Sequence, residues 1–264
     1  MDLGLNGKVV FVAGASQGIG YGIAETFLAE GAKVMITARG EQKLAAAEQS
    51  LAAHAAHAEE GSLARFTGDM TLSTDIRAAL DATEQQLGPL DIAVANVGGG
   101  EGPPGFPFSD DDWAATVQQN LTGSIVLMRE ASERMLARPA EQREGANLVA
   151  ISSIAGVDAM GGLQAYGACK AGLNHFVRNL GKHLGPKGIR VNVISPGNIM
   201  FPGGSWEQIV ASSPDFWNEW IGREVALKRF GTVQEIADAV AFCASARASF
   251  MCGEDLVVDG GQVR

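Results

Sequence analysis

Residues 8–20 constrain this chain more than any other stretch. Lys8–Ala13 (KVVFVA) is a short, β-branched apolar run, the composition of a strand buried on both faces. Gly14-Ala15-Ser16-Gln17-Gly18-Ile19-Gly20 follows without a spacer. Ile23, Ala24, Phe27 and Leu28 then recur at helical spacing up to Gly31, a natural helix stop. The unit reads as strand, glycine turn, helix. Glycines permit the tight turn, and they let the backbone come close to a pyrophosphate held at the positive end of the helix. The spacing is G-x-x-x-G-x-G, not the better-known G-x-G-x-x-G.

The same alternation continues to the end of the chain. Apolar strand candidates fall at 8–13, 33–37, 64–68, 90–95, 146–152, 189–194 and 255–258. Helical stretches run at 18–30, 41–60, 73–87, 110–135, 164–184 and 232–245. Strands separated by helices of this length imply parallel crossovers, hence an α/β fold: a Rossmann-like, doubly wound parallel sheet with helices on both faces. Ligands of such sheets lie at the carboxyl ends of the strands. No linker or repeat divides the 264 residues, so 1–264 reads as a single domain. Thr232-Val233-Gln234-Glu235 is a capping box opening the last helix.

Composition excludes several partners. The net charge of −10 argues against nucleic acid and against an anionic membrane surface. No run of 18 apolar residues suggests a membrane span, and the N-terminus lacks the pattern of a signal peptide. Three cysteines, Cys169, Cys243 and Cys252, have no metal-like spacing and read as reduced thiols of a cytoplasmic protein. His54 and His57 sit in an alanine-rich helical stretch and read as a solvated face, so no metal is expected.

Tyr166 and Lys170 stand four apart in a stretch of helical character, with Ser153 thirteen residues upstream of the tyrosine. Four residues return to the same helix face, so phenol and ammonium can share one site. A free tyrosine has a pKa near 10, and a fixed positive charge beside it would lower that value. Tyrosine, lysine and a serine to hold a carbonyl or hydroxyl make a proton-transfer group.

Taken together, these motifs resemble those of the single-domain short-chain dehydrogenases/reductases, and the chain is similar to 3-oxoacyl-carrier-protein reductases. The glycine motif at 14–20, Asp69, Ala95-Asn96-Val97-Gly98, Asn120, Ser153, Tyr166, Lys170, Pro196-Gly197 and Val258-Asp259-Gly260-Gly261 follow the family order. The resemblance implies that Tyr166 is the general acid or base, and that Lys170 binds the nicotinamide ribose and depresses the tyrosine pKa. It implies that Ser153 polarises the substrate oxygen and that Asn120 holds a relay water. Gly14, Ser16, Gln17, Gly18, Ile19 and Gly20 would carry the pyrophosphate. Asp69 and Met70 would meet the adenine, Asn96 and Gly98 would line the adenosine, and Pro196, Gly197 and Ile199 would approach the carboxamide. Three departures stand out: Val97 and Ala95 alter the N-N-A-G motif, Phe201 replaces the threonine of P-G-x-x-x-T, and Cys252 takes a place often held by threonine, with no function attached to it.

The second strand candidate is followed by Ala38 and Arg39, where relatives that prefer NAD usually place Asp. An arginine can pair with a 2′-phosphate, so NADP(H) is expected over NAD(H), with Ser16 as a further donor and Glu41 as a nearby complication. Residues 198–222 read as a substrate lid, with Ser205–Gln208 as a capping box and Ser213-Pro214 opening a second short helix. Trp206, Phe216, Trp217 and Trp220 either pack the lid itself or form an apolar pocket, and the loop 99–107 faces the same cleft. The expected reaction is NADPH-dependent reduction of a ketone to a secondary alcohol. The alternatives are a dehydrogenase of a sugar, polyol, steroid or aryl alcohol, and a non-catalytic dinucleotide sensor. Arg129, Arg134, Arg138 and Arg178 are candidates for a patch that docks an acidic carrier protein. Family habit implies a homodimer or homotetramer built on the last helix and strand.

Overall fold

The computed structural model describes residues 2–54, 61–99, 108–161 and 164–263. Seven parallel strands form one sheet: β1 (Val9–Val12), β2 (Lys33–Ala38), β3 (Leu63–Thr67), β4 (Ile92–Ala95), β5 (Asn147–Ile151), β6 (Arg190–Pro196) and β7 (Asp255–Val258). Their order is β3-β2-β1-β4-β5-β6-β7. The chain steps outward from β1 to β3, then returns to the other side of β1 for β4. The strand order therefore reverses between β1 and β4, where Val10 pairs with Val34 on one side and Ile92 on the other. This is a topological switch point, and the loops leaving β1 and β4 diverge there to open a crevice.

Strand alternation explains the two core layers. In β1, Val10 and Val12 face one layer, while Val9 and Phe11 face the other. The first layer receives α1 (Gly18–Ala29) through Ile23, Phe27 and Leu28, α2 (Glu41–His54) through Leu44, Ala47 and Leu51, and α9 (Val233–Ala244) through Ile236 and Val240. The second receives α3 (Ser73–Gln86) through Ile76 and Leu80, α5 (Gly123–Ala137) through Leu127 and Met128, and α6 (Gln164–Leu184) through Leu173 and Val177. Each fully buried side chain of this size contributes about 1.5–3 kcal/mol by leaving water. With both sheet faces covered, the strands need no polar face, which is why they read as continuous apolar runs.

The helical stretch expected at 110–135 is interrupted. α4 (Asp110–Val117) and α5 are joined by a π-helical turn, Gln118–Thr122, which contains Asn120. Such widened turns insert an extra residue into the helical ladder and concentrate at functional sites. The lid forms two short helices, α7 (Ser205–Ser212) and α8 (Pro214–Glu224). Ser205 does not cap α7 as expected. Gly204 is the N-cap, and the Glu207 carboxylate reaches back to accept from the Gly203 N–H at 2.7 Å. Ser213 and Pro214 open α8 as expected, and Thr232 with Glu235 forms the expected capping box on α9. Residues 55–60, including His57, and 100–107 of the second cleft loop lie outside the described residues.

Helices α1 and α9 meet through a glycine. A Cβ on Gly22 would lie 2.2 Å from Val233 Cγ1, a stiff β-branched neighbour. Gly22→Ala should therefore destabilise the fold: overpacking costs about 1–3 kcal/mol, more than the ~1 kcal/mol of helix propensity that alanine gains. Gly222 of α8 has nothing within 4 Å of its Cβ position, so Gly222→Ala should stabilise by up to about 1 kcal/mol. Urea unfolding of both variants checks the pair, and a gain at Gly22 would mean that α1 and α9 pack less tightly than described.

Candidate active site

A groove of about 650 Å³ lies at the switch point, along the carboxyl ends of β1, β2, β3 and β4. Gly14, Ser16, Gln17, Gly18 and Ile19 line it from the first turn, Arg39 from the end of β2, Asp69 and Met70 from the end of β3, and Asn96 and Gly98 from the end of β4. The turn itself is built for close approach. Gly14 and Gly18 have φ of +68° and +58°, which L side chains rarely adopt. A Cβ on Gly20 would fall 2.2 Å from the Gly14 carbonyl oxygen. Asn96 holds this geometry from β4, its Nδ2 donating to the carbonyls of Ala13 at 3.2 Å and Gly14 at 3.0 Å. The turn thus presents backbone and the start of α1 to the groove, the arrangement a pyrophosphate requires. A dinucleotide fits this cradle on geometry alone.

The Asp69 carboxylate accepts from the Thr71 N–H at 2.9 Å and hydroxyl at 2.8 Å, which pins it at the groove wall. Glu41 does not compete for Arg39. Its carboxylate is held by Arg65 and Thr67 on β3, and these hydrogen bonds keep it below the usual carboxylate range. Lys43, on the first turn of α2, lines the groove with Arg39 and escaped the sequence reading. Its signal was a second cation four residues after Arg39, within the first turn of α2. Thr71 and Gln119 join the lining as well.

The proton-transfer group gathers beside Gly98. From the Cβ position of Gly98, Asn120 Oδ1 lies at 2.9 Å and Lys170 Nζ at 3.0 Å. Asn120 is fully buried in its π-helical turn. Its Nδ2 donates to the Thr116 carbonyl at 3.2 Å, and its Oδ1 accepts from the Gly99 N–H at 2.9 Å. Lys170, on α6, is 3% exposed and donates to the Ile151 carbonyl of β5 at 3.0 Å. The ammonium stands 5.6 Å from the centre of the Tyr166 ring, one turn earlier on the same helix face. Ser153 hydrogen-bonds the phenol of Tyr166 from the loop after β5. Cys169 is buried on another face of α6, where burial raises its thiol pKa, as expected of a packing residue.

The electrostatics differ from the sequence expectation. Burial pushes the Tyr166 phenol above its ordinary range, and the Ser153 hydrogen bond opposes this only in part. Lys170 adds no depression of its own, and burial draws its pKa down to about 8, which still leaves it mostly protonated at neutral pH. At neutral pH the phenol is therefore protonated and the ammonium charged.

Three expected cofactor contacts lie apart from this lining. Ile199 is buried, pairs with Gly231, and borders a separate cavity of about 110 Å³ with Asn198 and Asp259. Gly197 abuts Asp259, whose Cα would be 2.7 Å from an added Cβ. Pro196 ends β6 beside Val258 of β7. Phe201 does line the groove, its ring edge 2.7 Å from the Cβ position of Gly18 and 2.9 Å from that of Gly204. The lid rings pack on one another: Trp206 lies 5.5 Å from Trp217, 6.0 Å from Trp220 and 5.3 Å from Phe230. This mutual packing is in keeping with the first of the two expected roles, while Phe216 keeps an exposed ring. Among the described residues, no cluster of His, Cys, Asp or Glu could hold a metal, and no helix is long and apolar enough to cross a membrane.

Known proteins share this arrangement. The family described as Enoyl-(Acyl carrier protein) reductase matches residues 14–262. The chain is 33% identical to the 3-oxoacyl-[acyl-carrier-protein] reductase FabG of Escherichia coli, over 98% of each chain. It is also 33% identical to the 2,3-dihydro-2,3-dihydroxybenzoate dehydrogenase of Bacillus subtilis, over 98% of this chain and 97% of the relative. Among solved structures, L-sorbose reductase of Gluconobacter frateurii, complexed with NADPH and L-sorbose, superposes with a TM-score of 0.88 at 28% identity. That match covers 100% of this chain and 99% of the other. With its glycine cradle and its serine, tyrosine and lysine in one place, the chain belongs to the short-chain dehydrogenase/reductase family and is an NAD(P)-dependent oxidoreductase of alcohol and carbonyl groups.

Proposed function

We propose that this protein reduces a ketone to a secondary alcohol with NADPH, as one dinucleotide-binding and catalytic unit. The carrying observation is that the Ser153, Tyr166 and Lys170 group meets the dinucleotide groove at Gly98, while Arg39 and Lys43 line that same groove. Gly14 to Gly20 hold the pyrophosphate, Asp69 and Met70 the adenine end, and Arg39 with Lys43 the 2′-phosphate. Bound NADPH supplies the hydride, and the positive charge of its oxidised ring favours the phenolate. Ser153 hydrogen-bonds the substrate oxygen, and Tyr166 donates its proton to that oxygen as charge develops. Lys170 orients the ribose and holds positive charge beside the phenol. Asn120, buried between Gly99 and Thr116, lies where a water would connect Lys170 to solvent.

Run in reverse, the same group oxidises an alcohol. The dehydrogenase and sugar-reductase relatives support this second reading, with a polyol or cyclic diol as substrate. Docking of an acidic carrier protein gains no support from the four candidate arginines. Arg129 pairs with Glu130 at 2.7 Å, Arg134 with Glu84 at 3.5 Å, Arg138 with Asp91 at 3.3 Å and Arg178 with Asp255 at 3.8 Å. Each positive charge is answered locally. A homodimer or homotetramer is supported by β7, an open edge strand, and by the exposed rings of Phe242 on α9 and Phe250 in the segment between α9 and β7. We place the enzyme in the cytoplasm.

Tyr166→Phe should lower turnover by about 10²–10⁴-fold while NADPH binding survives. Turnover within threefold of the parent in a ketone panel would remove Tyr166 from proton transfer.

NADPH should bind more tightly than NADH, and Arg39→Ala should narrow the gap by about 10- to 150-fold, the worth of one charge-assisted contact. Lys43→Ala should narrow it in the same direction. Titration of both dinucleotides decides this, and a parent that prefers NADH refutes the assignment.

The buried Lys170 sets a pH dependence of stability. Its folded pKa of about 8 lies below the unfolded value of 10.5, so the unfolded chain binds more protons in between. Stability should therefore rise with pH from 8 toward 10, by up to about 3 kcal/mol from this group. Unfolding free energies of the parent should gain on those of Lys170→Met across this window, and a constant difference would contradict a desolvated lysine.

A further inference from the structure

Behind the proton-transfer group lies a buried polar cluster that the mechanism above does not use. Asp255 of β7 is 7% exposed at its side chain. Its Oδ1 accepts from the Ser195 hydroxyl of β6 at 2.6 Å, and its Oδ2 accepts from Asn174 Nδ2 of α6 at 2.8 Å. Arg178 stands further off at 3.8 Å and is half exposed. Burial raises the Asp255 carboxyl, and the Ser195 bond and Arg178 oppose that rise.

Asn174 passes the constraint onward. Its Nδ2 also donates to the Gly156 carbonyl at 3.4 Å. The amide has one NH₂ group, and both of its hydrogens are thereby assigned. An ionised carboxylate only accepts, so Asp255 dictates which way the Asn174 amide faces. Turned over, Asn174 would set oxygen against oxygen at both contacts. Gly156 closes the 3-10 turn Ile154–Gly156, whose N-cap is Ser153. That turn lies directly on α6: a Cβ on Gly156 would fall 2.6 Å from the Lys170 carbonyl carbon, and one on Gly167 would fall 2.8 Å from the Ala155 oxygen. Seating of the turn on the helix therefore sets where Ser153 stands relative to Tyr166.

We propose that Asp255 and Asn174 are positioning residues: the Asp255 carboxylate orients the Asn174 amide, which clamps the Ser153 turn onto α6 and fixes the Ser153–Tyr166 geometry. Neither residue touches the reacting atoms. The clamp rests on the reading that Ser153 holds the substrate oxygen. Its effect reaches turnover through Ser153, because small misplacements of a reacting group are costly.

The test is a double-mutant cycle on the full-length enzyme with NADPH and a ketone that the parent reduces. Asp255→Ala removes both acceptor oxygens, so nothing holds the Asn174 amide toward β7 and its grip on Gly156 is loosened. Asn174→Ala breaks the same link without touching β7, and serves if Asp255→Ala fails to fold. Each should lower kcat by about tenfold, with the NADPH dissociation constant within about twofold of the parent. In a Ser153→Ala background, the same changes should cost less than about twofold. Equal tenfold losses in both backgrounds would overturn the clamp, as would a parent-like kcat in both single variants. If Ser153→Ala itself turns over like the parent, the role of Ser153 in the proton-transfer reading fails first, which is a distinct result.

Discussion

The close approach of α1 to the end of β1 is the constraint on which the rest depends. Gly20 passes so near the Gly14 carbonyl that a methyl group there would sit 2.2 Å from oxygen. Only glycine lets the chain turn at that radius, and only that radius aims the start of α1 into the crevice between β1 and β4. Asn96 then crosses from β4 to the same carbonyl. One side chain thus joins the two strands whose divergence makes the crevice. The groove is a consequence of sheet order, and its phosphate-binding character is a consequence of backbone that cannot be covered by side chains.

The second organising theme is the burial of charge without a carboxylate to answer it. Lys170 is enclosed against the Ile151 carbonyl and loses part of its hold on its proton. Tyr166, one turn away, is pushed the other way by the same desolvation. Burial moves each group toward its neutral form, so the two pKa values, close together in water, move apart, the lysine falling below the tyrosine. A positive charge arriving beside them then has a large effect, because little solvent is present to screen it. The π-helical turn at Asn120 belongs to the same design. It buries an amide at the point where Gly98, Lys170 and the groove converge.

Much of this was legible along the chain. The continuous apolar run of β1, the glycine turn, and the spacing of Tyr166 and Lys170 are local patterns, and local sterics enforce them wherever the chain folds at all. The capping box at Thr232 is equally local and was read correctly. The failure at Ser205 is instructive. Its motif is the same kind of signal, but Gly204 is held against the Phe201 ring and takes the N-cap position instead. A competing local contact, with Glu207 holding the Gly203 N–H, overrode a capping preference worth about 1 kcal/mol.

What the sequence determined by itself was the fold class, the family and the cast of the proton-transfer group, because strand period, helix period and turn glycines act over a few residues. What only the tertiary structure decided was the environment of each group. Glu41 is removed from Arg39 by Arg65, a residue on a different strand. Lys43 joins Arg39 because α2 begins at the groove. Four arginines that look like a basic patch along the chain are each matched to an acid. Asp255 meets Asn174 across 81 positions of sequence. Charge pairing and desolvation depend on distances between remote segments, and those distances exist only once the sheet has ordered them.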